Sequence, residues 1–155
     1  MIRWCVGFMI AAAAVSVGAV DSFVEVSIPM PDDVDLAGDL YLPASGGSWP
    51  TLLIMTPYGK QFFRPDQRGL PFGTEDYAWL VVDWRGYGAS GGEPLGSNGE
   101  DGSAVVEWIA VQNWSDGHVG MWGSSALGVI QFHTAVEQAK LANPHLDACV
   151  PQFAD

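Results

Sequence analysis

Thr51-Leu52-Leu53-Ile54-Met55 is a short apolar run closed by Pro50 on one side and Pro57 on the other. The run is too short for a typical helix and has no polar face. It fits a strand covered on both sides, as in a parallel sheet clad with helices. Trp79-Leu80-Val81-Val82 is a second such run, Val119 to Trp122 a short third strand, and Leu146 to Pro151 reads as one more buried strand. Helical stretches lie between them. One begins at Glu100-Asp101, with Val105, Val106, Trp108, Ile109 and Val111 as its apolar face and the acids in the first turn, where the helix dipole favours them. Another runs from Ala126 to Ala139, with Leu127, Ile130, Ala135 and Val136 near helical spacing before Pro144. Ahead of all these, Phe23–Met30 and Val34–Leu42 alternate loosely around Pro31-Asp32-Asp33, the pattern of an antiparallel strand pair. The expected architecture is α/β, a mostly parallel sheet with an N-terminal antiparallel hairpin.

The strongest chemical feature is Gly123-Ser124-Ser125-Ala126-Leu127-Gly128, between an apolar strand and an amphipathic helix. A sharp strand-to-helix turn lifts a serine out of the sheet, where a base can reach it. Such a turn crowds its neighbours. With Ser125 as nucleophile, the residue two before is Gly123; with Ser124 it would be the bulky Trp122. Ser125 is therefore the better candidate. The spacing is Gly-x-Ser-x-x-Gly, and glycines at such a junction can also serve close packing alone, so the motif leaves both roles open. The Ala126 backbone N–H would lie in the first helical turn, aimed at an oxyanion forming on an attacked carbonyl. A second donor is expected from the loop after an earlier strand, here Thr56-Pro57-Tyr58-Gly59-Lys60. Tyr58 could offer its phenol there, or simply pack at a strand end.

Several stretches together resemble a known family. Trp108-Ile109-Ala110-x-Gln112-x-Trp114-Ser115-Asp116-Gly117-x-Val119-Gly120-Met121-Trp122-Gly123-x-Ser125 is similar to the Xaa-Pro dipeptidyl-peptidase and cocaine esterase family of serine hydrolases. Asp39-Leu40-Tyr41-Leu42-Pro43, Trp49-Pro50-Thr51-Leu52-Leu53, the Thr56–Lys60 stretch, Asp83-x-Arg85-Gly86-x-Gly88-x-Ser90 and Glu100-Asp101-Gly102 agree with it in the same order. The resemblance implies an α/β-hydrolase fold, Ser125 as nucleophile, and an oxyanion hole made by the Tyr58 hydroxyl and the backbone N–H of Ala126. It implies small ester or peptide substrates, among them Xaa-Pro peptides, cocaine-type esters and α-amino acid esters. Two positions depart from the family's pattern. Ala126 stands where tyrosine is usual, which keeps the backbone donor and loses the side chain. Asp32-Asp33 stands where Asp-Gly is usual, a cost to the turn alone.

Composition bounds the rest. With 18 acidic against 6 basic residues the formal charge is -12, so nucleic acid is excluded as a partner. No phosphate-cradling loop or metal-ligand cluster stands out, and no cofactor is implied. Arg3, the apolar run Trp4–Val17 and the small residues Val17-Gly18-Ala19 have the layout of a signal peptide. Residues 1–19 are expected to be that leader, and 20–155 the N-terminal part of a hydrolase catalytic domain. The protein would then be secreted or periplasmic, with no stable membrane span after leader cleavage, because the apolar run is shorter than the roughly 20 residues a span needs. Cys5 would leave with the leader, and Cys149 would have no disulfide partner.

A serine nucleophile needs a base and a group to orient it. In this fold the acid and then the histidine follow the serine. Only His133 and His145 follow Ser125. His133 should point away from the elbow, two helical turns on. His145 precedes the last strand, at the wrong end of the sheet, and His118 starts the elbow strand. Asp155 is a weak candidate acid. The expectation is a sheet that stops before the C-terminal strands, a triad acid and histidine beyond Asp155, and little activity in these residues alone. The alternative is a non-catalytic hydrolase-like module that binds partners through its exposed sheet edge.

Overall fold

The computed structural model describes residues 22–153, so the leader read over residues 1–19, Cys5 and the candidate acid Asp155 lie outside the described residues. Six strands form one sheet: β1 (Val24–Pro29), β2 (Asp35–Tyr41), β3 (Trp49–Thr56), β4 (Ala78–Asp83), β5 (Ser115–Ser124) and β6 (Leu146–Gln152). Two helices, α1 (Gly99–Ala110) and α2 (Ala126–Gln138), and a 3-10 turn over Lys60–Phe63 complete the elements. The spatial order is β1-β2-β4-β3-β5-β6. The β1–β2 and β2–β4 pairs are antiparallel, and the others are parallel.

The apolar runs became the middle of the sheet for the reason their composition suggested. All six residues of β4 are buried, as are Leu53, Ile54 and Met55 of β3. One face packs beneath the helices, with Leu53, Leu80, Val82 and Met121 against Val105, Val106, Ile109 and Ile130. The other face gathers Tyr41, Ile54, Trp79 and Val81 under Phe63 and Leu70 of the segment that follows β3. The Asn98 side chain accepts the Glu100 N–H at 3.0 Å and caps α1, with Glu100 and Asp101 in the first turn.

Four expectations are corrected. Strand β5 begins at Ser115, four residues before the apolar run, because Trp49 pairs with Ser115 through the backbone and needs nothing apolar there. Strand β6 forms where expected, but none of its residues is fully buried. It is the last strand of the described sheet, with β5 as its only described neighbour. Val111 is the α1 C-cap and is exposed. On α2, Val136 faces outward, and the buried stripe is Leu127, Ile130, Gln131, Thr134 and Gln138. A helix can bury glutamine when its amide is satisfied. The Gln138 amide nitrogen donates to Ser103 Oγ at 2.9 Å and Glu107 Oε1 at 3.0 Å, and its oxygen accepts the His145 and Leu146 N–H groups at 3.0 and 3.2 Å. One side chain thus ties α1, α2 and the start of β6.

Arg85, just beyond β4, is nearly buried. It donates to both carboxylate oxygens of Asp101 (2.9 and 2.6 Å) and to Asp32 at 2.7 Å in the hairpin turn. Those hydrogen bonds push the guanidinium pKa up and hold the Asp32 carboxyl below its ordinary value. Asp33 takes φ 63, the left-handed conformation that the usual glycine would adopt without strain.

The topology sets where a ligand can sit. From β3 the chain crosses to β4 on one side and then to β5 on the other. A crevice therefore opens at the C-terminal ends of β3 and β5, the place where open α/β sheets bind ligands. The segment with Tyr58 leaves β3 there, and Ser125 leaves β5.

Candidate active site

Ser125 occupies a one-residue joint between β5 and α2, with φ 54 and ψ −126. A positive φ at a non-glycine residue is strained, and here the neighbours over-determine it. The Ser125 N–H donates to the Gln152 carbonyl at 2.8 Å, which ties the joint to the end of β6. The Ser125 carbonyl accepts from Gly128 and Val129 at 2.8 and 2.9 Å, closing the first turn of α2. Gly123, at φ 151, could not be larger: a Cβ there would lie 2.4 Å from the Leu127 Cβ. The crowding anticipated two residues before the serine is thus observed.

Ser125 is also the N-cap residue of α2, yet its side chain makes no capping hydrogen bond. Serine at this position ordinarily turns its hydroxyl back onto an amide of the first turn. Here the side chain is exposed instead. The Ala126 and Leu127 amides, the first two of the helix, have no acceptor within it. The Ser125 hydroxyl and these amide donors therefore stand at one point, with the positive end of the helix dipole behind them.

Tyr58 is brought to the same place. The residue is 61% exposed and, with Ser124 and Ser125, lines a pocket of about 200 Å³. Phe62, Phe63, Leu70, Pro71, Trp122 and Leu127 supply apolar wall, and Arg68 stands at the rim with its guanidinium 5.9 Å over the Phe62 ring. The Tyr58 N–H donates to Thr56 Oγ1 at 3.0 Å, and the Lys60 N–H to Asp83 Oδ1 at 2.5 Å. The nearly buried Lys60 ammonium pairs with the fully buried Asp39 and reaches Glu25 at 3.1 Å. Arg64 joins them through Asp39 at 2.7 Å. Hydrogen bonds from Lys60 and Arg64 hold the Glu25 carboxyl below its ordinary value, while burial pushes the Asp83 carboxyl up.

The structure brings Ser125, Ala126 and Tyr58 together and leaves the histidines elsewhere. His118 Nδ1 meets Asp147 at 2.7 Å and His145 Nδ1 meets Glu107 at 2.9 Å, both at the beginnings of β5 and β6, the opposite end of the sheet from Ser125. His133 lies two turns along α2 with Nδ1 2.8 Å from the Ser97 carbonyl. Among the described residues no cluster of three or more His, Cys, Asp or Glu could hold a metal ion, and no helix is long and apolar enough to cross a membrane. Sequence reasoning missed Gln152, Thr56 and Asp83 as supports of the site. Gln152 could not have been found, because its part depends on β5–β6 register. Thr56 and Asp83 sit inside the stretches that carried the family likeness, but their type alone does not reveal what they hold.

A mixed sheet in this strand order, with a serine on the strand-to-helix joint of β5, defines an α/β-hydrolase. The sequence profile of the X-Pro dipeptidyl-peptidase (S15 family) matches residues 32–154, and the chain belongs to that family. It is 41% identical over 117 residues to the cocaine esterase of Rhodococcus sp. (strain MB1 Bresler), a match covering 72% of this chain and 20% of the relative. Among solved structures it is similar to a CocE/NonD family hydrolase from Staphylococcus aureus, with 27% identity, a TM-score of 0.65, and coverage of 81% of this chain and 26% of that one. An α-amino acid ester hydrolase shares the fold at 22% identity and a TM-score of 0.69, over 93% of this chain and 28% of that one. The chain spans about 20% of the length of the curated relatives it matches.

Proposed function

We propose that this chain carries the nucleophile and oxyanion hole of a serine hydrolase that cleaves esters or Xaa-Pro-type amides. The Ser125 oxygen bonds to the substrate carbonyl carbon while its proton passes to a base. The carbonyl oxygen becomes an oxyanion that accepts hydrogen bonds from the Ala126 N–H and the Tyr58 hydroxyl. Collapse breaks the bond to the leaving alcohol or amine, which takes the proton, and water then hydrolyses the acyl-enzyme by the same steps. The apolar wall beside Ser125 would receive the acyl or leaving group. The base and its orienting acid are assigned to residues other than the described ones, so residues 22–153 by themselves should turn over little substrate. The observation that carries the reading is Ser125 itself: an N-cap serine at φ 54 whose hydroxyl does not cap its helix and which shares a pocket with Tyr58.

The test is fluorophosphonate labelling of the full-length protein, followed by assay on esters and Xaa-Pro amides. Label is expected on Ser125, absent from Ser125→Ala and retained by Ser124→Ala. Turnover by Ser125→Ala should fall at least ~10⁴-fold. Absence of labelling in the folded full-length protein would favour the non-catalytic binding module instead.

A further inference from the structure

We propose that Thr56 and Asp83 are positioning residues for the Tyr58 phenol, an inference that rests on the reading of Ser125 and Tyr58 given above. An oxyanion donor must stand within about 2.7–3.1 Å of where the charge develops. The Tyr58 ring is exposed, so packing does not fix it. Its position must come from its backbone, and that backbone is tethered on both sides. Before it, the Thr56 carbonyl accepts the Trp84 N–H at 2.9 Å, and the fully buried Thr56 hydroxyl accepts the Tyr58 N–H. After it, the Lys60 N–H meets Asp83 Oδ1.

Asp83 is an expensive way to make that second tether. It is fully buried, and a buried carboxylate carries a desolvation cost. Both its oxygens are spent on backbone amides of two different segments. Oδ1 takes Lys60, and Oδ2 takes Ala89 at 2.9 Å. The second segment is shaped for this. Gly88 sits at φ 56, and a Cβ there would fall 2.1 Å from Asp83 Oδ2. One carboxylate thus clamps the segment after β3 to the segment after β4, at the rim of the crevice. Loosening either tether moves the phenol relative to Ser125, and a displacement of about 1 Å can cost ~10²-fold in rate. Because the oxyanion exists only in the transition state, the loss falls on kcat rather than KM.

The experiment is a pair of double-mutant cycles in the full-length protein, with kcat and KM measured on an ester and thermal unfolding measured alongside. Tyr58→Phe should lower kcat ~10²-fold, as removal of one oxyanion donor does. Thr56→Val keeps the side-chain shape and removes the hydroxyl that accepts the Tyr58 N–H. It and Asp83→Asn should each lower kcat ~10-fold or more with KM within about twofold. In the Tyr58→Phe background, neither should lower kcat by more than about twofold, since there is no donor left to misplace. A merely structural role would slow the enzyme by the same factor with or without the phenol. Should Asp83→Asn unfold, the Thr56→Val cycle decides. Losses that multiply, or a Thr56→Val enzyme with full kcat, overturn the inference and leave Ser125 and Tyr58 standing. A Tyr58→Phe enzyme with full kcat overturns the role of Tyr58 and the inference together. Unlabelled Ser125 overturns the catalytic reading itself.

Discussion

At the scale of single residues, the joint between β5 and α2 divides its strain unequally. Ser125 at φ 54 and ψ −126 adopts a positive-φ conformation that non-glycine residues visit at a cost of order 1–3 kcal/mol. Gly123 has no such freedom to change, because φ 151 and the nearby Leu127 both forbid a side chain. Gly123→Ala should therefore destabilise the protein by about 2 kcal/mol or more and abolish fluorophosphonate labelling, checked by denaturant unfolding and by label incorporation. This part of the site was legible: the sequence distinguishes Ser125 from Ser124 by asking which neighbour is small enough. What it could not show is that Ser125 forgoes its helix cap, since a hydroxyl's choice of partner depends on the torsion the joint imposes.

Elements were legible where burial is a property of the residues and illegible where it depends on neighbours. Strands β3 and β4 could be bounded to within about two residues because continuous apolar runs have few ways to avoid water. The burial expected of β6 is not met among the described residues, where β5 is its one neighbour and the same residue types are only partly covered. On α2 the apolar spacing does not point to the buried polar stripe Gln131, Thr134 and Gln138, because a buried amide announces itself only through its partners. The β5–β6 pairing adds a titratable contact at its start, where Asp147 faces His118 and Asp116 lies near. Hydrogen bonding to Asp147, with the charge of Asp147 and Asp116, raises the His118 pKa above 6.5. The stabilisation is thus fully present below that value and is lost as pH climbs through the raised one. Thermal unfolding of wild type and His118→Asn should differ at about pH 6 and converge at about pH 9.

Across the whole molecule, acidic groups outnumber basic ones three to one, yet Lys60, Arg64, Arg85 and Lys140 are each held by at least one carboxylate. Arg85 matters most to the assembly of the fold. It joins the end of β4, the first turn of α1 and the hairpin turn, three segments far apart in sequence. Arg85→Met should cost about 3–5 kcal/mol in urea unfolding, because Asp101 would be left buried without its counter-ion. Lys140→Met, at an exposed i,i+3 pair, should change stability by less than about 0.5 kcal/mol.

The hydrogen bond from the Ser125 amide to the Gln152 carbonyl links two places with opposite habits. One is the joint that carries Ser125; the other is the last rung of the β5–β6 ladder, on a strand whose residues are at most partly covered among the described residues. Local opening starts where few apolar contacts resist it. Loosening of that rung would release Ser125 from its tether while the buried middle of the sheet still held, so a local change at the joint would precede any global melting.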